Sequence, residues 1–325
     1  MKHVFVFDPK AFYNQQWKMD NILDGIGQFF RTQESPDFSI QFSRYRRNAI
    51  GIIQEEAEKA KAGDIVRVYA IGGEEILFDC LNGVAHFPNM QLAAVPHGES
   101  NDFLRIFGND KEDLFRDVPA LVQSDALPTD AIRWGVNYAL NSCYIGMNAV
   151  ISKKVKDMKS RMGKIGFKVF SKLSSFLSLF ASAFDKQVAR KKYVITIDDV
   201  DYSGNYCLIH IANGPYLNGK VTGSKEASPD DGLLDIALIK SSHPLKTLSS
   251  MSRYSRGKRT RNCIIVQGKK IAVSTETPMW IRLDNEYIQD TNIVANVVSH
   301  AVQLVAAEGL AYPVVSIAEA EEVEA

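Results

Sequence analysis

No stretch of this sequence reaches about 18 uncharged apolar residues, the length a membrane-crossing helix needs. The apolar start Val4-Phe5-Val6-Phe7 is also too short for a secretory signal. Neither feature is expected, and the expected compartment is the cytoplasm. Cysteine is scarce: Cys80, Cys143, Cys207 and Cys263 lie far apart, with no Cys-x-x-Cys pair. That spacing argues against a disulfide framework or a structural zinc site. An excess of one charge is missing too. Lys plus Arg and Asp plus Glu each number 38, so no global field draws the chain to nucleic acid, and attraction to a charged surface must come from local patches. What the sequence does have is 46% hydrophobic content over 325 residues. That is enough for a substantial core and fits two domains better than one.

Val4 to Phe7 reads as a first strand, stopped at Asp8-Pro9. Ile22, Ile26, Phe29 and Phe30 then recur at helical spacing, whereas Phe38, Ile40 and Phe42 alternate as in a half-buried strand. Asn48 can cap a helix striped with Ile50, Ile53, Ala57 and Ala60, closed by Gly63-Asp64 before the apolar run Ile65 to Ile71. Another stripe, Ile76, Leu77, Cys80, Leu81 and Val84, precedes a short strand from Gln91 to Val95. This alternation predicts an α/β fold. Residues 1–129 should form an N-terminal three-layer Rossmann-like domain, a parallel sheet with helices on both faces.

After Pro128-Thr129-Asp130 the strand-like runs are separated by Gly, Asn and Asp clusters rather than by helices. Residues 130–295 are therefore expected to form a C-terminal β-rich domain of the β-sandwich kind, with segment 296–315 packing back on the first domain. Residues 151–192 interrupt it as a lysine-rich helical insertion. It could cover the sheet, the commoner role for such a helix, or approach an anionic membrane. The cluster Arg253, Arg256, Lys258, Arg259 and Arg261 reads as a solvated loop, and the acidic tail 316–325 as disordered.

Two turns could hold phosphate. Gly72-Gly73 follows a strand and opens a helix, so backbone N–H groups and the helix N-terminus can face an anion. Paired glycines also occur in plain turns. Gly98-Glu99-Ser100-Asn101-Asp102 likewise follows a strand, so both turns end at one sheet edge, where open parallel sheets bind ligands.

Gly72-Gly73-Glu74-Glu75-Ile76, with Asn82-Gly83 downstream, resembles the Gly-Gly-Asp-Gly-Thr loop and following Asn-Gly of the diacylglycerol kinase family of lipid kinases. Pro96-His97-Gly98-Glu99-Ser100-Asn101-Asp102-Phe103 is similar to its Pro-x-Gly-Thr-x-Asn-Asp-Phe signature. Asp231-Gly232-Leu233-Leu234-Asp235 resembles its Asp-Gly-x-Leu-Asp segment, and Asp284-Asn285-Glu286 its Asp-Gly-Glu. Order and spacing cover nearly the whole chain. Sphingosine kinases and NAD kinases share the first loop, but the last two segments look more like the bacterial diacylglycerol kinase branch.

The resemblance implies an ATP-dependent lipid kinase that moves a γ-phosphate to a lipid hydroxyl, diacylglycerol foremost, with ATP and Mg²⁺ as cofactors. Asp8, Pro9, Gly72, Gly73, Glu74, Glu75, Gly98, Glu99, Asn101 and Asp102 would surround the nucleotide. Glu74, Asp102 and Asp130 would form the carboxylate cluster that positions Mg²⁺, an ion that takes oxygen ligands and bridges phosphates. Asp231 would hold a second, structural metal; its residue pattern alone reads as a turn before Gly232. Asp284 would act as the base that accepts the lipid hydroxyl's proton, with Glu286 as its support. On spacing alone, Asp-Asn-Glu is a polar turn. The implied partner is a lipid at a membrane surface, so peripheral membrane association is expected. Nucleic acid is not a partner, and a homodimer is allowed without any readable interface.

Three departures fall where phosphate should bind: Glu75 stands for a glycine, and Ile76 and Glu99 for threonines. A carboxylate about 5 Å from a phosphate charge, at an effective dielectric near 20, opposes binding by roughly 3 kcal/mol. Near a helix N-terminus the same carboxylates can be stabilised by its partial positive charge. Two readings follow: an active kinase in which Glu74 replaces the family's aspartate, or a weak or inactive relative that keeps the fold to bind lipid or a protein partner.

Overall fold

A computed structural model describes residues 1–34, 36–60, 63–97, 101–158, 161, 190–217 and 219–313. The expected disordered tail, most of the 151–192 insertion, and Gly98 and Glu99 lie outside these. Strands β1 (Lys2–Phe7), β2 (Phe38–Phe42), β3 (Val66–Gly72) and β4 (Met90–Pro96) alternate with helices α1 (Gln16–Arg31), α2 (Asn48–Lys59) and α3 (Glu74–Val84). They pair in parallel in the order β2-β1-β3-β4. β1 and β3 are buried along almost their whole length, as strands covered on both faces are, and so they read as continuous apolar runs. α1 packs against the short α4 (Val118–Gln123), and α2 against α3.

Asn82 and Gly83 fix the α2–α3 layer. A Cβ built on Gly83 would lie 2.8 Å from Ile53 Cδ1, so only glycine lets α2 approach this closely. Asn82 donates to the carbonyls of Phe78 and Tyr138 and accepts the Tyr138 N–H, which ties α3 to the second half of the chain. The expected Asn48 cap is replaced. Arg47 enters α2 in a left-handed conformation with φ 66°, and the Asn48 carboxamide turns back to accept the Arg44 N–H.

The second half contains β5 (Ala126–Trp134), β6 (Asn137–Ala139) and β7 (Ser142–Gly146), then a helix, α5, over residues 147–158. Next come β8 (Lys191–Ile197), β9 (Val200–Asp201), β10 (Gly204–Ala212), the pair β11 (Tyr216–Leu217) and β12 (Lys220–Val221), and β13 (Leu234–Lys240). Helix α6 (Pro244–Tyr254) precedes β14 (Cys263–Gly268), β15 (Lys270–Leu283) and β16 (Glu286–Val305). These strands pair antiparallel with one another. Residues alternate between two cores: Ile209, Ile211, Ile236 and Leu238 lie in one, Leu208, Ala237 and Ile239 in the other, where Met251 and Tyr254 of α6 cover them.

β16 belongs to both halves. It pairs antiparallel with β15 at its start, antiparallel with β5 further on, and parallel with β4 at Gln303–Val305. Its end, with Val302, Leu304 and Val305, sits in the N-terminal core. The hydrogen-bonded sheet therefore runs unbroken between the halves, and the boundary expected at 129/130 falls inside β5. A bulge between Val298 and Val302, with His300 at φ 53°, bends β16 where it changes partners.

Candidate active site

The two glycines after β3 serve distinct ends. Gly72 has φ 153°, and a Cβ there would lie 2.9 Å from Ile76 Cγ2 and 3.0 Å from Asp8 Cβ, so the turn closes directly over the end of β1. Gly73 is the N-cap of α3 and supplies no side-chain cap. Asp8 caps the following 3-10 turn begun by Pro9, accepting the Lys10 N–H at 3.0 Å. Burial pushes Asp8 above the usual carboxylate range, with Glu75 nearby adding to the effect. Asp8, Pro9, Gly72, Gly73 and Glu75 thus come together at one sheet edge.

Glu74 and Glu75, adjacent in the first turn of α3, face different surroundings. Glu75 is exposed and its carboxylate meets the Lys156 ammonium of α5 at 2.9 Å. Partial burial raises it, but the bond to Lys156, reinforced by Arg46 and Lys10, holds it below the ordinary range. Glu74 turns inward. It accepts the Asp102 backbone N–H at 3.1 Å, and burial together with the Asp102 carboxylate pushes it up to about 7.

Glu74 lines a pocket at the junction of the two halves with Asn101, Asp102, Asp284 and Arg282. Leu77, Phe78 and Leu81, one face of α3, form its apolar wall with Phe103. Asn101 is buried and accepts the Leu104 N–H. Asp102 accepts the Gly219 N–H at 2.7 Å. Asp284 occupies the two-residue turn between β15 and β16 at φ 46°. Its carboxylate accepts three backbone N–H groups, from Leu140 (2.8 Å), Asn141 (3.1 Å) and Ser142 (2.8 Å). Burial outweighs these bonds, which favour the charged form, and Asp284 is pushed up to about 6. Arg282, near the end of β15, donates to the Asp284 carbonyl at 2.7 Å. The sequence reading missed Arg282, whose approach to the site depends on the hairpin turn and carries no local signal.

Other expected residues stand elsewhere. Asp130 does not line the pocket. It has no exposed surface, and its carboxylate accepts the N–H groups of Gly232 (2.7 Å) and His300 (2.8 Å), so it joins β5 to the 228–232 turn and to the bulge in β16. Asp231 accepts the Leu233 N–H two residues on, the turn geometry its local sequence suggests. Glu286 pairs with Arg46, from the loop before α2. Among the described residues no group of three or more His, Cys, Asp or Glu side chains is arranged to hold a metal ion. The expected three-carboxylate cluster therefore reduces to Glu74 and Asp102. No helix among the described residues is long and apolar enough to cross a membrane.

Residues 5–134 match the family model described as the diacylglycerol kinase catalytic domain, and residues 141–306 match the YegS C-terminal NAD kinase beta sandwich-like domain. The chain belongs to the diacylglycerol kinase family. A Staphylococcus aureus (strain JH9) protein named as a candidate lipid kinase is 28% identical over 309 residues, covering 92% of this chain and 97% of the relative. A crystal structure of a candidate diacylglycerol kinase from Bacillus anthracis strain Sterne superposes with TM-score 0.70 at 22% identity, covering 94% of this chain and 97% of that one. A second structure from that strain gives 0.71, also at 22% identity, with 94% and 96% coverage. At this identity the structural likeness concerns the fold. Within that fold, Glu74, Asn101, Asp102 and Asp284 line one pocket.

Proposed function

We propose that the protein is an ATP-dependent kinase that transfers the γ-phosphoryl group to a lipid hydroxyl, with diacylglycerol the first candidate. The observation that carries this reading is the meeting of Glu74, Asn101, Asp102, Arg282 and Asp284 in one pocket beside the Gly72-Gly73 turn. Phosphoryl transfer demands chiefly positioning and charge compensation. The turn with its open helix N-terminus would receive phosphate oxygens. Glu74 and Asp102 suit a Mg²⁺ ion, which needs only one or two carboxylates beside substrate phosphates and its own waters. Bound there, it would offset charge on the transferring group. Asp284 would accept the hydroxyl proton: its three backbone bonds fix its orientation, and its raised pKa suits a base working near neutrality. Arg282 brings the pocket's cation, and the wall of α3 supplies apolar contact for a lipid near its ester end.

Ile76 favours a second reading, a fold kept for binding with transfer lost. Its side chain is buried in the core at 3% exposure, where the family resemblance calls for a hydroxyl. Incubation with labelled ATP, Mg²⁺ and a panel of lipid alcohols separates the two. Transfer by the wild type that disappears in Asp284→Asn supports the kinase. Absence of calorimetric Mg-ATP binding at millimolar concentration, restored by Glu75→Gly with Ile76→Thr, establishes the second reading instead.

A further inference from the structure

Residues 243–261 hold Lys246, Arg253, Arg256, Lys258, Arg259 and Arg261 and no acidic residue, in a chain whose charges otherwise balance. The structure displays them. The face of α6 with Thr247, Ser250, Met251 and Tyr254 is buried, while Leu245, Lys246, Ser249 and Arg253 point outward, and the turn after the helix exposes Arg256, Lys258 and Arg261. Lys220 and Lys225 add exposed cations on the adjoining segment. Arg259 is neutralised in part by its pair with Glu226 and by the buried Asp235 nearby. Among the described residues Arg253, Lys258 and Arg261 make no ion pair.

The patch connects to a pocket residue through one chain segment. Gly219, whose N–H bonds Asp102, opens the strand Lys220–Val221. The turn at Gly257 rests on the carbonyls of Val221 and Thr222, and Tyr254 lies against Gly223. One chain segment therefore touches the pocket at one end and supports the cations at the other.

We propose that this face docks on the anionic headgroups of a phospholipid bilayer and so holds the pocket at the surface where its substrate resides. The proposal rests on the lipid-kinase reading above. Two observations favour a bilayer over a nucleic acid strand. The only aromatic residue of the segment, Tyr254, is 2% exposed and offers no base a stacking surface. Leu245, by contrast, is 63% exposed beside the cations, the pairing of apolar tip and positive charge that interfacial helices use.

The test is sedimentation of the full chain, without nucleotide, with vesicles of phosphatidylcholine alone or of phosphatidylcholine and phosphatidylglycerol at two to one. Binding is expected only to the anionic vesicles. Each surface cation contributes about fivefold to such binding, so the triple variant Arg253→Gln, Lys258→Gln, Arg261→Gln should bind roughly a hundredfold more weakly. The corresponding triple substitution to glutamate should bind more weakly still. Both should keep wild-type transfer to a short-chain, water-soluble diacylglycerol. Equal binding to both vesicle types, undiminished binding by folded variants, or tighter binding of a single-stranded RNA at the same salt overturns the docking surface. Anionic-vesicle binding that follows the charges, with no transfer to any substrate, upholds the surface and removes the kinase reading alone.

Discussion

At the scale of single residues, neighbouring acids have separated into different tasks according to what their carboxylates touch. Asp130 serves two partly buried backbone donors, and removing it deprives both of this partner. Asp130→Ala should lower stability by about 1–3 kcal/mol, less than two fully buried orphaned donors would cost because water can reach both, seen as a lower midpoint in denaturant or heat. If Asp130 were instead a metal ligand, the loss would appear only with Mg²⁺ present. Asp284 and Glu74 carry the pH dependence. Both have folded pKa values raised by burial, to about 6 and about 7, so each takes up a proton earlier than a free carboxyl as pH falls. A base and a metal-binding acid must be ionised, and kcat/KM should therefore be full above both values and drop as pH is lowered through the 7 to 6 window. A profile flat down to pH 5 would exclude both carboxylates from the reaction.

At the scale of elements, the helix start and the hairpin decide how the departures from the family pattern are tolerated. Glu75 seemed from sequence alone to repel a phosphate by a few kcal/mol. In the structure it is exposed and joined to Lys156 of α5, and an exposed pair of this kind contributes only about 0–1 kcal/mol after solvent screening. Glu75→Ala should thus raise Mg-ATP affinity no more than about fivefold, with the gain shrinking as salt is added, and Lys156→Ala should weaken it. A hundredfold gain measured by calorimetry would restore the unscreened repulsion. Lys156 also reaches the Asn285 carbonyl and lies over the Tyr287 ring, while Arg46 holds Glu286. The β15–β16 hairpin is thereby fastened to the first half directly by the Arg46–Glu286 ion pair and indirectly through Lys156, which bonds the Asn285 carbonyl and pairs with Glu75.

At the scale of the whole molecule, the halves are not independent bodies joined by a linker. Val302, Leu304 and Val305 complete the N-terminal core, and Gln303–Val305 covers the β4 edge. A fragment ending at residue 134 would expose that edge and the apolar surface beneath it. We expect it to aggregate or remain without cooperative unfolding by circular dichroism, and addition of a peptide spanning 295–313 to recover structure. A monomeric fragment with a sharp thermal transition would show that the first half folds unaided.

The sequence by itself determined the alternation of strands and helices up to β4, because periods of 2 and 3.6 are local properties of the chain, and it marked Gly72, Gly73, Asn101, Asp102 and Asp284 as belonging together. The pairing of Asp284 with three backbone N–H groups, the removal of Asp130 from the pocket, the Lys156 partner of Glu75 and the entry of Arg282 were decided only in three dimensions. Each joins groups far apart along the chain; Asp130 and His300, for instance, are 170 positions apart. A carboxylate's role depends on which donors and charges fold against it, and no local pattern of residues records that.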